Sequence, residues 1–264
     1  MNDRLIQKFK NKLANNACVF GPFMKTCDPA FVEVAGWSGM DFVILDMEHG
    51  PVSMETMQNN IRAAQVSGVL PIVRASHLSE EAISKALDIG AAGIEIPQVA
   101  SADDARNAVR YSKFYPAGNR GVCRFVRSSR YASMDKNDFF TSANSNLIIL
   151  QIEGQEALSN LDEILDVEGI DIIFIGPYDL SQSLGLPGQV SHPKVLEQIS
   201  CIVKKARAKG IVTGTFCDTP EALKLWMDAK IQYLSYSVDV GIFQQACQEL
   251  VATFQSFSKM KSGS

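Results

Sequence analysis

The chain has 264 residues, of which 46% are hydrophobic, and its formal net charge is −4. This size and composition suit one large globular domain, because single-domain α/β barrels of about 250 residues are common. The mild acidity and the lack of Lys or Arg runs argue against a nucleic-acid partner. No apolar stretch approaches the length of a membrane span, so we expect no membrane partner.

The six cysteines are scattered along the chain, and none forms a CxxC pair. This spacing favours reduced thiols over a disulfide framework or a zinc–thiolate site. Residues 1–13 are too charged for a secretory signal. Together these features predict a cytoplasmic protein.

Helical and strand patterns alternate along the chain after a first predicted helix over 3–14. Eight short apolar segments are predicted as strands: 17–23, 41–47, 69–73, 93–97, 147–152, 171–175, 211–216 and 231–237. Predicted helices cover 30–36, the segment from Ser53 to Val66, the segment from Ser79 to Gly90, 102–111, 157–165, the segment from Ser191 to Gly210, a segment that begins at Thr219, and 241–257. The boundaries rest on apolar periodicity and on capping residues.

Eight strands that alternate with helices predict an α/β fold, a single-domain (β/α)8 TIM barrel over 1–264 with an N-terminal helix. A doubly wound open sheet is the alternative, although no GxGxxG motif follows the first strand. The segment 112–146 is a long loop between strands 4 and 5. Residues 258–264 are expected to form a polar, disordered tail.

Polar residues recur where the predicted strands end, and the carboxyl ends of barrel strands form the active face of such enzymes. They are Asp46, Glu48 and His49 after strand 2, Arg74 after strand 3, Gln151 and Glu153 at strand 5, and Asp179 after strand 6. In a closed barrel all of them can face one mouth.

Glu153 and Asp179 are carboxylates from neighbouring strand ends, and carboxylate oxygens suit a hard divalent cation such as Mg²⁺. Each also has a structural interpretation. Asp179 can cap a helix, and Glu153 can form a salt bridge with Arg74. Their occurrence together beside a histidine favours a metal site.

Arg74 can stabilise an oxyanion, because a guanidinium keeps its proton. A structural ion pair is an equally good interpretation of this residue. His49 can act as a general base oriented by Asp46 or Glu48, because histidine exchanges a proton readily near neutral pH. The backbone amides around Gly176 and Tyr178, just before a helix, can hold a carboxylate or can simply form a turn.

The motifs DxEHG at residues 46–50, VR ending at Arg74, QIE ending at Glu153 and IGPYDLSQSLG from Ile175 resemble the HpcH/HpaI aldolase family. The segment YPAGNRG in the long loop extends this likeness over nearly the whole chain. The resemblance implies a TIM-barrel class II aldolase. Such an enzyme is a lyase that reversibly cleaves a 4-hydroxy-2-oxo acid to pyruvate and an aldehyde.

By the same resemblance, Glu153 and Asp179 are the ligands of a divalent metal. Mg²⁺ or Mn²⁺ is the preferred ion, and Co²⁺ or Zn²⁺ is the alternative. Catalysis falls to His49, Arg74 and Asp46, with Asp46 supporting His49. Substrate-binding groups are Arg74, Gln151 and the amides of Gly176 and Tyr178. Asp88 matches a residue that family members contribute to the active site of a neighbouring subunit. This match implies a homo-oligomer, which in the family is often a hexamer.

Two other functions stay open at this point. One is an acyl-CoA thioester lyase of the citrate lyase β type, although no basic cradle for CoA is evident. The other is a barrel that binds a 2-oxo acid without catalysis. The long loop carries Arg120, Arg124, Arg127 and Arg130, which fit an anionic substrate tail, an exposed face or a subunit contact equally well.

Overall fold

A computed structural model describes the backbone of residues 2–262 and the side chains of residues 2–258. Eight parallel strands form a closed barrel in chain order, and the eighth strand pairs with the first. The strands are β1 (Val19–Met24), β2 (Phe42–Asp46), β3 (Leu70–Arg74), β4 (Gly93–Ile96), β5 (Leu147–Ile152), β6 (Ile172–Ile175), β7 (Val212–Cys217) and β8 (Tyr233–Val238). The predicted (β/α)8 barrel is confirmed, and the open sheet is excluded.

Helices connect the strands and cover the outside of the barrel. They are α1 (Asn2–Ala14), α2 (Pro29–Trp37), α3 (Met54–Ser67), α4 (Glu80–Asp88), α5 (Ala102–Ser112), α6 (Lys136–Ala143), α7 (Gln155–Ser159), α8 (Leu161–Leu165), α9 (Pro177–Ser183), α10 (Pro193–Ala208), α11 (Pro220–Asp228) and α12 (Asp239–Ser262). None of the helices within residues 2–262 has the length and apolarity needed to cross a lipid bilayer. All six cysteines are free thiols, as the spacing predicts.

Capping side chains fix where several helices begin. Ser53 and Thr219 accept backbone N–H groups in the first turns of α3 and α11, as the sequence predicts. The predicted cap Ser191 is wrong by one position: the ring of His192 accepts the amide of Lys194 at 3.2 Å. Because proline occupies the first position of α10, the residue immediately before it becomes the cap.

The long loop after α5 contains more structure than its sequence indicates. It forms a short 3-10 helix (Arg127–Ser129) and then α6. Phe139 of α6 packs against Phe114 and Phe140, with ring centroids 5.6 and 5.4 Å away, so the loop has a small apolar core of its own. The helix predicted over 157–165 is divided at Asn160 into α7 and α8.

The last helix continues further than predicted, because the backbone is helical to Ser262. The tail expected from residue 258 is therefore helical through 262, and positions 263 and 264 lie outside the described residues.

The inside of the barrel is filled by side chains and closed at its amino end by α1. Phe9 of this helix meets the inward-facing rings of Phe42 and Tyr233 edge-on, with centroids 6.1 and 6.0 Å away. A second, larger apolar cluster lies between the barrel and the outer helices. With its amino end sealed, the barrel offers its carboxyl end for a site.

The register of three neighbouring strands puts charged side chains at that carboxyl end. Asp46 of β2 pairs with Arg74 of β3, and Arg74 pairs with Glu95 of β4. Residues in register on parallel strands point to the same face of a sheet. The strands therefore bring these three side chains together inside the barrel mouth.

The backbones of β1 and β2 approach each other closely at Gly21. A Cβ at this position would lie 1.9 Å from the carbonyl oxygen of Phe42, and backbone cannot yield as a flexible side chain can. We expect Gly21→Ala to lower the free energy of unfolding by about 2–3 kcal/mol in urea denaturation. Gly121→Ala is the matched control, since a Cβ there meets nothing within 4 Å. Equal stability of the two variants would contradict this packing.

Candidate active site at the carboxyl end of the barrel

One pocket of about 390 Å³ opens among the loops that follow the strands. Its lining includes Glu48 and His49 after β2, Gln98 after β4, Glu153 after β5 and Asp179 of α9. The structure thus brings together groups that lie up to 131 positions apart, between Glu48 and Asp179, as the barrel topology predicts.

Asp46 and Arg74 form a buried, two-pronged ion pair beside this pocket. Nε and Nη2 of Arg74 donate to the two carboxylate oxygens of Asp46 at 2.9 and 2.7 Å. Although burial acts in the opposite direction, these contacts hold the pKa of Asp46 below its usual range. The guanidinium of Arg74 also lies over the ring of Phe23, 4.5 Å from its centroid. Arg74 is therefore held in one orientation with its charge intact.

The expectation that Asp46 orients the His49 ring is wrong. Asp46 contacts His49 only through the backbone, by accepting its amide N–H at 3.3 Å. The side chain of Asp46 faces its register partner Arg74, which occupies both oxygens. The carboxylate nearer the ring is Glu48, whose Oε2 lies 3.8 Å from Nε2 of His49.

Glu48, the other carboxylate considered from the sequence as a partner of His49, links several groups of the site. Its Oε2 lies 3.0 Å from Nη1 of Arg74, and its Oε1 accepts from Nε2 of Gln98 at 3.0 Å. The contact with Arg74 is an ion pair without hydrogen-bond alignment, so Oε2 retains capacity to accept a proton donor.

Glu153 is fixed through both of its oxygens. Its Oε1 accepts the backbone N–H of Gln98 at 2.8 Å, and its Oε2 accepts from the side-chain amide of Gln151. Gln151 therefore orients Glu153, while its own buried Oε1 has no partner among the described residues. The salt bridge with Arg74, the structural alternative for Glu153, is not among the ion pairs of the described part of the chain.

The surroundings of Glu153 and Asp179 fit a bound cation. Burial, and then the negative charges of Asp179 and Glu48, raise the pKa of Glu153 to about 7, against hydrogen bonds that lower it. Carboxylates that repel one another in this way are the usual setting for a divalent ion. A Cβ on Gly176 would lie 2.5 Å from Oε2 of Glu153, so the glycine keeps the carboxylate accessible.

No three His, Cys, Asp or Glu side chains converge on a metal position within the described residues. Two carboxylates with water in the remaining positions are a common arrangement for Mg²⁺. The residues present therefore fit an ion of this kind better than zinc, which usually takes three or four protein ligands.

The two expected carboxylate-binding amides differ in the structure. The amide of Gly176 already donates to the carbonyl of Ile152 at 3.3 Å, so the expectation of a free donor there is wrong. Tyr178 lies in the first turn of α9, where helix amides lack intrahelical acceptors. Its hydroxyl donates to Asp218 at 2.6 Å, which raises the pKa of Tyr178 to about 12.

Asp88 and the basic loop lie away from this pocket. Asp88 ends α4, at the amino end of the barrel, and accepts from Nη2 of the buried Arg120 at 2.5 Å. Arg127 donates to the carbonyl of Ile89 at 3.0 Å in the same region, and Arg124 donates to the carbonyl of Met134 at 2.7 Å within the loop itself. None of Asp88, Arg120, Arg124, Arg127 and Arg130 lines the pocket at the carboxyl end; Arg120, Arg127 and Arg130 line a separate cavity of about 360 Å³.

Two further residues near the site, Lys25 and Glu95, belong to none of the sequence motifs and were not predicted as site residues. Lys25 follows β1, and its Nζ lies 3.8 Å from Oδ2 of Asp46. Glu95 is completely buried in the barrel, and among the described residues neither of its oxygens meets a donor in hydrogen-bond geometry. Burial raises the pKa of Glu95 to about 8, although Arg74 opposes this. In the sequence, Glu95 lies within an apolar strand and gives no sign of its direction. Its register with Arg74 across β3 and β4 shows that it faces the inside of the barrel.

The fold and the pocket define a TIM-barrel protein with a carboxylate-rich, cation-compatible site at its carboxyl end. The chain belongs to the HpcH/HpaI aldolase/citrate lyase family, whose model matches residues 20–246. It is 34% identical to 2-keto-3-deoxy-L-rhamnonate aldolase of Escherichia coli O17:K52:H18 over 97% of this chain and 96% of that protein. The predicted family and enzyme class, an aldolase-type lyase, are confirmed.

Solved structures agree with this assignment. An HpcH/HpaI aldolase from Desulfitobacterium hafniense DCB-2 superposes with a TM-score of 0.86 at 32% identity, over 93% of this chain and 96% of that one. The citrate synthase SbnG superposes with a TM-score of 0.85 at 31% identity, over 95% of this chain and 98% of that one. The chain is therefore similar along its length to proteins with two related carbon–carbon bond chemistries.

The buried acid Glu95 predicts a pH dependence of stability. Its pKa is about 8 when folded and about 4.5 when unfolded, so the native state retains a proton that the unfolded chain loses. Stability therefore falls as pH rises from about 4.5 to about 8. We expect Glu95→Gln to remove this loss and to raise the free energy of unfolding by ~3 kcal/mol at pH 7.

The free energies of unfolding of wild type and Glu95→Gln can be compared by urea denaturation between about pH 4 and about pH 9. This range spans the titration of Glu95 in the unfolded and the folded chain. The surface substitution Glu163→Gln is the control, and it should leave the curve of the wild type unchanged. Parallel stability curves for wild type and Glu95→Gln would contradict a protonated, buried Glu95.

Proposed function

We propose that this protein is a metal-dependent class II aldolase that cleaves 4-hydroxy-2-oxo acids to pyruvate and an aldehyde. The observation that carries the proposal is the convergence of Glu153 and Asp179 on one pocket that also holds His49 and adjoins Arg74. Aldol cleavage needs these three functions: a cation site for a keto acid, a base for a hydroxyl proton, and a positive charge for an oxyanion.

The substrate class is supported by the relatives. The name 2-keto-3-deoxy-L-rhamnonate aldolase describes an enzyme acting on a 2-keto acid whose third carbon lacks a hydroxyl. Cleavage between the third and fourth carbons of such an acid releases pyruvate. We propose substrates of this type, with the aldehyde portion left to be determined by the loops around the pocket.

The family's aldolases act with a divalent metal ion. We propose Mg²⁺ or Mn²⁺ held by Glu153 and Asp179, because both are hard ions that prefer carboxylate oxygens. When bound there, such an ion supplies Lewis-acid stabilisation to the carboxylate and keto oxygens of the substrate.

The chain's own residues account for the remaining steps. His49 accepts the proton of the 4-hydroxyl group, directly or through one water, and the C3–C4 electron pair then moves toward C2 as the aldehyde forms. Arg74 stabilises the negative charge that develops on the C2 oxygen. The protonated His49 can return its proton to C3 and so complete pyruvate. The amide of Tyr178, in the first turn of α9, is proposed to bind the substrate carboxylate.

A homo-oligomer is also part of the proposal. Asp88 is held by Arg120 at the amino end of the barrel, away from the pocket of its own chain. If Asp88 contributes to a neighbouring site, the subunits must associate with the amino end of one barrel near the carboxyl end of another. A hexamer built from such contacts is the state we propose.

A condensation with an acyl-CoA is the second candidate. It is favoured by the similarity to the citrate synthase SbnG along nearly the whole chain. The two functions share a keto acid, a cation site and an oxyanion-stabilising arginine, and differ in the second substrate. Release of free CoA from acetyl-CoA and oxaloacetate, without pyruvate formation from hydroxy-oxo acids, would favour this alternative.

We expect pyruvate release from 4-hydroxy-2-oxo acids to stop in EDTA and to return with Mg²⁺ or Mn²⁺, because the proposed ion supplies the Lewis acid that stabilises the developing enolate charge. Glu153→Gln should lower Mn²⁺ affinity, measured by calorimetry, by at least about 10- to 100-fold, the loss typical of removing even an indirect partner of a metal ligand. Full activity in EDTA would contradict the metal role. Borohydride trapping of pyruvate on wild type but not on Lys25→Ala would indicate an imine mechanism instead.

Arg74→Lys keeps the charge and loses the two-pronged geometry. We expect kcat/KM for pyruvate release to fall at least about 100-fold, because an ammonium group cannot hold both Asp46 and the developing oxyanion in a fixed plane. Arg106→Lys, at an exposed ion pair with Asp103, is the control and should retain wild-type rates. Activity of Arg74→Lys within a few-fold of wild type would refute this role.

A further inference from the structure

Gln98 is the residue of the site with unusual backbone geometry. It follows β4 and Pro97, lines the pocket, and has a φ of +55°. A non-glycine residue in the left-handed region is destabilised by on the order of 1 kcal/mol and persists where its surroundings hold it. The contacts that Gln98 makes show what holds it.

Gln98 binds two carboxylates that come from different strands. Its backbone N–H donates to Oε1 of Glu153 at 2.8 Å, and its side-chain Nε2 donates to Oε1 of Glu48 at 3.0 Å. The residue therefore connects the loop after β4 with the ends of β5 and β2. Because φ sets the direction of the side chain relative to the amide, the left-handed conformation allows both hydrogen bonds at once.

The second of these bonds controls the carboxylate nearest the proposed base. With Oε1 of Glu48 held by Gln98, its Oε2 is placed 3.0 Å from Nη1 of Arg74 and 3.8 Å from Nε2 of His49. Asp46 does not contact the His49 ring, so Glu48 is the acid that faces it. Gln98 holds one oxygen of Glu48 and Arg74 holds the other, so loss of the Gln98 side chain leaves Glu48 fixed at one end only.

We propose that Gln98 is a positioning residue with two separable tasks: its backbone amide orients Glu153, and its side chain holds Glu48 against His49 and Arg74. This inference rests on the aldolase function proposed above. The side-chain task concerns proton transfer at His49, whereas the backbone task concerns cation binding at Glu153.

The two tasks can be separated by substitution. Gln98→Gly retains the amide, relieves the positive φ and removes the bond to Glu48. Gln98→Val disfavours the left-handed conformation and so displaces the amide, because β-branched residues rarely adopt it. Gln98→Asn is the conservative variant, since asparagine tolerates positive φ and keeps a shorter side-chain amide.

For Gln98→Gly we expect kcat for pyruvate release about tenfold lower, with KM and Mn²⁺ affinity within about twofold of wild type. Gln98→Asn should recover part of the lost kcat. Glu48→Ala removes the acceptor and should lower kcat on its own. The double variant with Gln98→Gly should lose no more than the larger single loss, because both changes break the same contact between Gln98 and Glu48. For Gln98→Val we expect Mn²⁺ affinity to fall about tenfold in calorimetry.

Lys230→Gly is the matched control for strain relief. Lys230 is exposed in the turn after α11, has a φ of +65° and lies outside the site. We expect both glycine variants to melt at or above the wild-type temperature. Lys230→Gly should also keep the wild-type kcat.

Wild-type kcat in Gln98→Gly, or additive losses with Glu48→Ala, would overturn the side-chain task. Wild-type Mn²⁺ affinity in Gln98→Val would overturn the backbone task. If the wild type releases no pyruvate from any 4-hydroxy-2-oxo acid, the aldolase proposal and the side-chain task fall together. The Mn²⁺ comparison of Gln98→Val with Gln98→Gly still decides the backbone task in that case.

Discussion

The buried ion pair between Asp46 and Arg74 is the interaction on which the geometry of the site depends. Two hydrogen bonds from the guanidinium and two backbone amides, those of Glu48 and His49, converge on one carboxylate. The pair thus fixes the side chain of β3 and the turn after β2 at the same time. A charge buried to this extent is tolerated only with a partner in good geometry, so neither residue can move independently.

From this pair the site extends as a chain of contacts around the barrel mouth. Arg74 attracts Glu48, Glu48 binds Gln98, and the amide of Gln98 binds Glu153. Each contact joins the ends of different strands, and the strands themselves form a rigid closed sheet. These contacts hold Arg74, Glu48 and Glu153 at fixed separations, which is the condition for electrostatic preorganisation in the function proposed above.

Carboxyl groups outnumber cationic side chains in this region. Five carboxyl groups, those of Asp46, Glu48, Glu95, Glu153 and Asp179, lie at or just below the mouth, against the side chains of Arg74 and Lys25. Glu95 and Glu153 respond with raised pKa values, because burial and mutual repulsion both disfavour their charged forms. A cation that neutralises part of this charge would stabilise the folded site and also a keto acid bound to it.

The alternation of apolar segments and capping signals determined the barrel and, to within two residues, the ends of its eight strands, since both patterns are local in sequence. It also predicted that Asp46, Arg74, Glu153 and Asp179 lie at the same end of the barrel, because a parallel barrel gathers the carboxyl ends of its strands at one face. What only the tertiary structure decided is which groups pair: Asp46 with Arg74 instead of His49, Gly176 with a strand carbonyl, and Glu95 pointing inward. Such pairings depend on register, side-chain direction and angstrom-scale distances between strands, which no local pattern of residues encodes.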